Sequence, residues 1–370
     1  MEMLQLLERL VNIDSSSYTK QGIDEIGAIL KGKFEELDFL VKKMKQQKFG
    51  NHLVIQHRDA KSPHILVIGH MDTVFPEGTA RKRPFKMEGT RAYGPGVVDM
   101  KGSLVQLLYA ILCMKQTGQS GYKHIQIILN SDEEIGSPSS AALILEKAKN
   151  MKYALVLEPA RPDGSIVTAR RGVGQFKVEV VGRAAHSGIE PEKGQSAIEE
   201  LAHKIIAFHK LTDLHQGIGL NVGIIEGGSA VNTVAPRASA LVDVRFSNKD
   251  QVEFILKQMK SICAKTFVPG TKTSLSGKVD RPPMEKTEQT IGLLEIIRQS
   301  GDEMGLTITD TSTGGGSDAS FPSELGVATI DGLGPIGDCA HSDDEYLEIE
   351  SLFDRTLLLA TVLQKLSQID

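Results

Sequence analysis

The chain has no tryptophan and only three cysteines, and aromatic residues make up 5% of its 370 positions. Cys113, Cys263 and Cys339 are odd in number and far apart, which argues against a disulfide framework or a CxxC site. They read as small hydrophobes in a reducing compartment, and a cytoplasmic location is expected. An excess of one charge is also missing. The formal net charge is −5, with no basic stripe and no basic–aromatic interleaving, so nucleic acid is a poor partner. The opening MEMLQLLERLVNIDSSSYTK lacks a basic start, an unbroken apolar stretch and a small-residue cleavage site, so no leader is expected. No apolar run approaches the length that crosses a bilayer, and no membrane association is expected. HExxH, GxSxG and GxxxxGK[S/T] are absent, and no GxGxxG follows a strand.

What is present is ordinary globular composition, 40% hydrophobic and 24% charged, in a chain long enough for two domains. Ile23, Ile26, Leu30, Phe34 and Leu37 fall at helical spacing. Short apolar strands follow, HLVIQH (52–57), HILVIG (64–69), IQIILN (125–130) and YALVLE (153–158), separated by helical stretches. One of these, GSLVQLLYAILCM, sets Leu104, Leu107, Leu108, Ile111 and Leu112 on one face. Near-continuous apolar strands alternating with helices predict an α/β fold with a mixed, mostly parallel sheet covered on both faces.

After about residue 168 the pattern changes. QFKVEVVGR alternates like a half-exposed strand, the helix SAIEELAHKIIAFHK follows, and then come GLNVGIIEG, SALVDVRFS, the helix DQVEFILKQMKSICAK and a short strand TKTSLSG. That order is β-α-β-β-α-β, a ferredoxin-like α+β unit. DRPPME (280–285) reads as a linker, because its prolines favour extended chain. The expected organisation is a catalytic domain from 1–167 and 285–370, interrupted by an inserted domain at 168–284.

Three apolar strands end in metal-capable side chains: His70 and Asp72; Asp132, Glu133 and Glu134; and Glu158. The carboxyl ends of parallel strands share one edge, where ligands bind. One acid after a strand is often only a turn residue or helix cap, but three such endings on one edge are harder to dismiss. Asp99, in AYGPGVVDMKGS, either caps the following helix or joins this group, and His341, in GPIGDCAHSDDEY, is either a surface histidine or a further ligand. As a set they suit zinc or a similar borderline cation. There are too many carboxylates for one tetrahedral ion, and two ions roughly 3.5–4 Å apart, bridged by a carboxylate and a water, are the economical solution. In the pair Glu133–Glu134 one carboxylate can ligate while the other takes a proton from water. Asp72 stands where a carboxylate can orient His70.

In order, GHMDTV, YGPGVVDMKGS, SDEEIGS, LEP, GRAAHSG, GGGSDAS and HSDDEY resemble the motifs of the co-catalytic dizinc amidohydrolases and metallopeptidases. That family includes glutamate carboxypeptidase, acetylornithine deacetylase, succinyl-diaminopimelate desuccinylase and aminoacylase. The motifs span about 69 to 346, and DEEIGS, DVRF, DRPP and GGGSDAS make glutamate carboxypeptidase the nearest member.

The resemblance implies two zinc ions, with cobalt or manganese as substitutes. His70 and Glu158 would hold one, Glu134 and His341 the other, with Asp99 bridging, Glu133 as general base and Asp72 behind His70. It also implies a cis Asp99–Met100 bond and a homodimer formed through the inserted domain, which acts as a lid. His186 of AAHSG would reach a partner's site and stabilise the oxyanion; otherwise it is a turn residue. Asn232 and Arg245 match substrate-contacting positions, although Arg245 could simply lie on a solvent face. Arg281 matches the arginine that grips a substrate carboxylate, or is a solvated hinge residue; Gly315 and Gly316 would let backbone approach the ligand. The expected reaction is hydrolysis of the amide bond of a C-terminal amino acid or an N-acyl amino acid. Deacetylation, desuccinylation or dipeptide cleavage are the alternatives, and a non-catalytic metal-binding homologue is a remote one.

Overall fold

The computed structural model describes Glu2–Ile369. Its chain divides into two compact units: Met1–Ala169, Lys286–Thr313 and Ser317–Asp370 form one, Arg170–Glu285 and Gly314–Gly316 the other.

The first unit is built on a six-stranded sheet in the order Phe39–Met44, His52–His57, Ile125–Asn130, Ile65–His70, Tyr153–Val156 and Ala328–Ile330. The last four strands run parallel and the first two pairings are antiparallel, so the sheet is mixed. Phe39–Met44 has no counterpart among the sequence-predicted strands. It is an edge strand whose Lys42 and Lys43 dilute the apolar pattern. In Ile65–His70, Ile65 and Val67 join the main core with Leu7, Phe34, Leu104 and Leu359. The alternate residues Leu66 and Ile68 are just as buried and point the other way, so both faces are covered.

The helix Gly102–Gln116 departs from expectation. The spacing predicts one buried face, yet Ser103, Leu104, Val105, Gln106, Leu107, Leu108, Ala110, Ile111 and Met114 are all buried. It packs against the sheet, the N-terminal helix and the C-terminal helix Ile349–Leu366. With the turn before it, Val97–Gln116 reaches the length and apolarity of a membrane span, which the run-length reading missed. Its apolar window is 78% buried inside the protein, as befits a core helix.

The second unit is a four-stranded antiparallel sheet in the order Gly219–Gly227, Arg237–Phe246, Gly172–Val181 and Lys272–Arg281, with helices Ala197–His209 and Lys249–Ala264. Phe176, Val178, Val180, Val242 and Val244 meet Leu201, Phe208, Ile255 and Met259 in one core. Ser196 and Asn248 cap the two helices by accepting the N–H of Glu199 and Gln251. The last strand is longer than the sequence suggests. It pairs through Arg281, because the ten-residue neighbour offers partners as far as Val173, so Asp280 and Arg281 belong to the strand and the linker starts after them.

Candidate metal centre

Parallel register explains why the strand endings converge. Ile68 pairs with Val156, and continuing two residues sets His70 level with Glu158. His70 itself pairs with Asn130, so Glu133 and Glu134 emerge from the neighbouring strand at the same edge. The buried His70 ring places Nε2 3.1 Å from Asp99 Oδ1 and 3.7 Å from Glu158 Oε1. Its Nδ1 lies 2.9 Å from the Asp72 carbonyl oxygen and 3.5 Å from Asp72 Oδ1. A carbonyl can only accept, so that contact places a proton on Nδ1 and turns Nε2 toward the carboxylates.

Asp99 faces both histidines. Its other oxygen, Oδ2, is 3.2 Å from His341 Nε2, which in turn is 3.1 Å from Glu134 Oε2. Asp99 sits in the turn Val97–Lys101, with non-helical dihedrals at Asp99 and Met100 and a cis Asp99–Met100 bond. Gly96 enters that turn at φ 73°, and a Cβ there would lie 2.5 Å from Thr73 Cγ2.

Asp72 also joins the loop after His70 to the one that carries Glu133 and Glu134. Ser17 Oγ donates to its Oδ2 at 2.7 Å, and the Glu133 and Glu134 backbone N–H groups donate at 3.3 and 3.2 Å. Asp132, metal-capable in the sequence reading, is spent otherwise. It accepts the Ser139 N–H and the Ser139 and Ser140 hydroxyls, each at 2.6 Å, and folds the turn carrying Glu133 and Glu134. Ser17, whose partner Asp72 is 55 residues away, carried no sequence signal, and neither did Ser139 and Ser140, although they lie only a few residues beyond Asp132. Glu345 was legible only as part of HSDDEY.

The electrostatics are those of carboxylates crowded around two imidazoles. His341 is pushed up to about 11 by its hydrogen bonds to Asp99 and Glu134. Burial opposes the charged form of His70, yet Asp72 and Asp99 hold it well above the ordinary range. Burial likewise opposes ionisation of Asp99, but His341 and His70 keep it far below the usual carboxylate range. Glu158 and Glu134 are raised by burial and by the charge on Asp99. Glu345 rises to about 7 for the same two reasons, and burial brings Lys101 down to about 7.

These residues fit a cation. Ligand atoms of His70, Asp99 and Glu134, and of His70, Glu133 and Glu158, lie within 4.8 Å of one another. Glu134 Oε1 is buried without a hydrogen-bond partner among the described residues, which is costly for a carboxylate oxygen unless a cation meets it. Histidine plus carboxylate is the donor set of zinc and its neighbours.

The second unit holds the other sequence-predicted residues in two groups. Arg245 and Arg281 both pair with Val173 at one end of the sheet. Arg245 grips Asp243 through Nε at 2.8 Å and Nη2 at 3.2 Å, and its Nη1 donates to the Gly314 carbonyl at 3.4 Å. Arg170, which the sequence reading did not single out, donates to the Gly315 carbonyl at 3.3 Å. Arg281 is buried, and a Cβ on Gly316 would meet its Cδ at 2.9 Å, so only glycine permits that approach. His186 and Asn232 belong to the other end, beyond Val181 and before Arg237, where the Ser187 N–H donates to the Asn232 carbonyl at 3.0 Å. Eight residue steps separate Val173 from Val181, about 27 Å of strand.

A metal-suited cluster at the carboxyl edge of an α/β sheet, with an inserted α+β unit, defines a metal-dependent peptidase or amidohydrolase. The chain belongs to the peptidase family M20/M25/M40, whose model matches residues 66–365. It is 28% identical over 372 residues to carboxypeptidase G2 of Pseudomonas sp. (strain RS-16), covering 98% of this chain and 89% of that protein. It is 26% identical to the acetylornithine deacetylase of Buchnera aphidicola subsp. Schizaphis graminum, covering 93% of each. Among solved structures, the aminopeptidase PepT of Bacillus cereus ATCC 10987 superposes with a TM-score of 0.83 at 23% identity, over 99% of this chain and 98% of that one.

Proposed function

We propose that this enzyme hydrolyses the amide bond that joins a C-terminal amino acid to a peptidyl or other acyl group. The observation that carries the reading is Asp99 turned with one oxygen toward His70 and the other toward His341. His70 and Glu158 would hold one divalent cation and Glu134 and His341 a second, with Asp99 shared; zinc suits these donors, and cobalt or manganese could replace it. When bound, such a pair polarises a carbonyl and lowers the pKa of water toward neutrality.

The chain's own groups supply the rest. Glu133 takes the proton of the attacking water and returns it to the departing amine. Asp72 holds Glu133 and Glu134 through their N–H groups, so one carboxylate keeps both the His70 side and the base side in place. Arg281 offers a guanidinium fork to the substrate's terminal carboxylate. Arg245 makes a further polar contact with the substrate, Asn232 makes one from the His186 end of a partner protomer's inserted unit, and Gly315 and Gly316 let backbone approach it.

His186 Nδ1 accepts the Gly188 N–H at 3.1 Å, which leaves the ring proton on Nε2 as a donor for an oxyanion. We assign that donation to a partner protomer's site. The reading is supported by the length of strand between the His186–Asn232 end and the Arg245–Arg281 end. A homodimer through the inserted unit is supported by exposed apolar residues, Ile198 and Ile206 on its helix and Ile224 and Ile225 on its edge strand. Three free thiols are compatible with a cytoplasmic location.

One experiment tests the function: a hydrolysis panel of folyl-type, peptidyl, acetyl and succinyl amino acids, with and without chelator, run on wild type and Glu133→Gln. Chelator-sensitive cleavage that Glu133→Gln lowers by about two to four orders of magnitude is expected. Cleavage unaffected by both would overturn the reading. Preference for acetyl or succinyl groups would move the enzyme to the deacylases, the class of its acetylornithine deacetylase relative.

A further inference from the structure

Glu345 is fully buried, yet it has no part in the chemistry set out above. It follows His341 by four residues and precedes the strand Tyr346–Glu348, which pairs antiparallel with Arg91–Tyr93. That pairing lays Glu345 beside the loop that starts at Gly94. There its carboxylate accepts three backbone N–H groups of the Asp99 turn: Gly96 on Oε2 at 3.0 Å, and Val98 and Asp99 on Oε1 at 3.0 and 3.1 Å. Three converging N–H groups form a concave anion seat, and here a side chain of the chain itself fills it. Lys101 pins the same turn, donating to the carbonyls of Ile13 and Pro95 at 2.9 and 3.2 Å.

We infer that Glu345 is a positioning residue that ties the His341 segment to the Asp99 turn, so that the donor shared between the two histidines and one of those histidines are set in place together. Glu345 accepts the Asp99 backbone N–H, and the turn's dihedrals at Asp99 and Met100 are not those of a helix that would hold itself. The Gly96 and Val98 N–H groups left without their acceptor are buried donors unsatisfied, the Asp99 N–H is half-buried, and the turn would move to reach water. Glu345 touches neither substrate nor cation, and its effect passes through Asp99. The inference rests on the metal-centre reading.

The test is a Co²⁺ titration of metal-free protein, followed by visible absorption, beside thermal unfolding of the same metal-free samples. Glu345→Ala is expected to lower Co²⁺ affinity about 10- to 100-fold, the range for groups that orient metal-facing residues. Glu345→Gln keeps an oxygen for Val98 and Asp99 but turns an amide NH₂ toward the Gly96 N–H, so a smaller loss of several-fold is expected. A purely structural residue would lower the unfolding temperature and leave Co²⁺ affinity alone; that result, in either folded variant, overturns the inference. Should Glu345→Ala fail to fold, Glu345→Gln decides. A wild type that takes up no Co²⁺ would fell the metal reading and this inference with it, whereas wild-type uptake matched by the variants fells this inference alone.

Discussion

Ser17 donates its hydroxyl hydrogen to Asp72 at 2.7 Å, fastening a residue near the start of the chain to the carboxylate behind His70. Both side chains are buried, so Ser17→Ala leaves a charged acceptor short of a donor, at a cost of about 1–3 kcal/mol. Because Asp72 also accepts the Glu133 and Glu134 N–H groups, the loss should reach catalysis as well. Denaturant unfolding should show the lower stability, and kcat should fall more than KM changes. Unaltered stability and kcat would show that the bond carries no weight.

Arg281→Lys should raise KM at least about tenfold for substrates with a free terminal carboxylate, with a smaller effect on kcat. A lysine supplies a point charge where the fork's two parallel donors matched two oxygens. Esterifying the substrate carboxylate should erase the difference between the two proteins. Equal KM values on the free acid would remove Arg281 from substrate recognition.

Ile225→Asp should convert the proposed dimer into monomers. Ile225 is 59% exposed on an edge strand whose free side offers unpaired backbone groups. Sedimentation velocity distinguishes the two masses. A wild type that sediments as a monomer at micromolar concentration contradicts the dimer and, with it, the assignment of His186 to a partner's site.

Asp310 gives a pH-dependent contribution far in sequence from the candidate metal donors. Burial works against its charge, but Lys286 at 2.6 Å, the Thr168 hydroxyl at 2.6 Å and Arg298 at 3.0 Å hold its carboxyl below the ordinary range. A depressed folded-state pKa means stability that is full above the unfolded value of about 4 and lost as pH falls through the folded value. Asp310→Asn should therefore be about 1 kcal/mol less stable at neutral pH, given its partly exposed partners. The gap should close as the pH drops below about 4. A gap that persists at low pH would place the effect in packing.

The apolar strands were legible because burial on both faces writes a continuous hydrophobic run. Ile65–His70 and Ile125–Asn130 stand within a residue of their sequence-predicted limits. Phe39–Met44 was not, since an edge strand bearing lysines has no such run. The burial of Gly102–Gln116 on nearly all sides depends on neighbours the helix's own spacing cannot report. Among the candidate site residues, His70, Glu134 and Glu158 stood out because metal-capable side chains after buried strands are conspicuous. Ser17, Arg170 and Glu345 act through partners 55, 145 and up to 249 residues away; nothing local marks the first two, and Glu345 stood out only within HSDDEY.

The amino-acid sequence by itself determined which chemical groups this protein brings to the edge of its sheet, and the order of elements that carries them there. Side-chain periodicity and strand endings are local properties, set by burial and by chain direction. Tertiary structure alone decided which oxygen of Asp99 faces which histidine, that Asp132 braces a turn, and that the inserted unit's polar residues lie at opposite ends of one strand. Those outcomes turn on register and on long-range hydrogen bonds, whose partners are chosen only when the folded chain has closed around them.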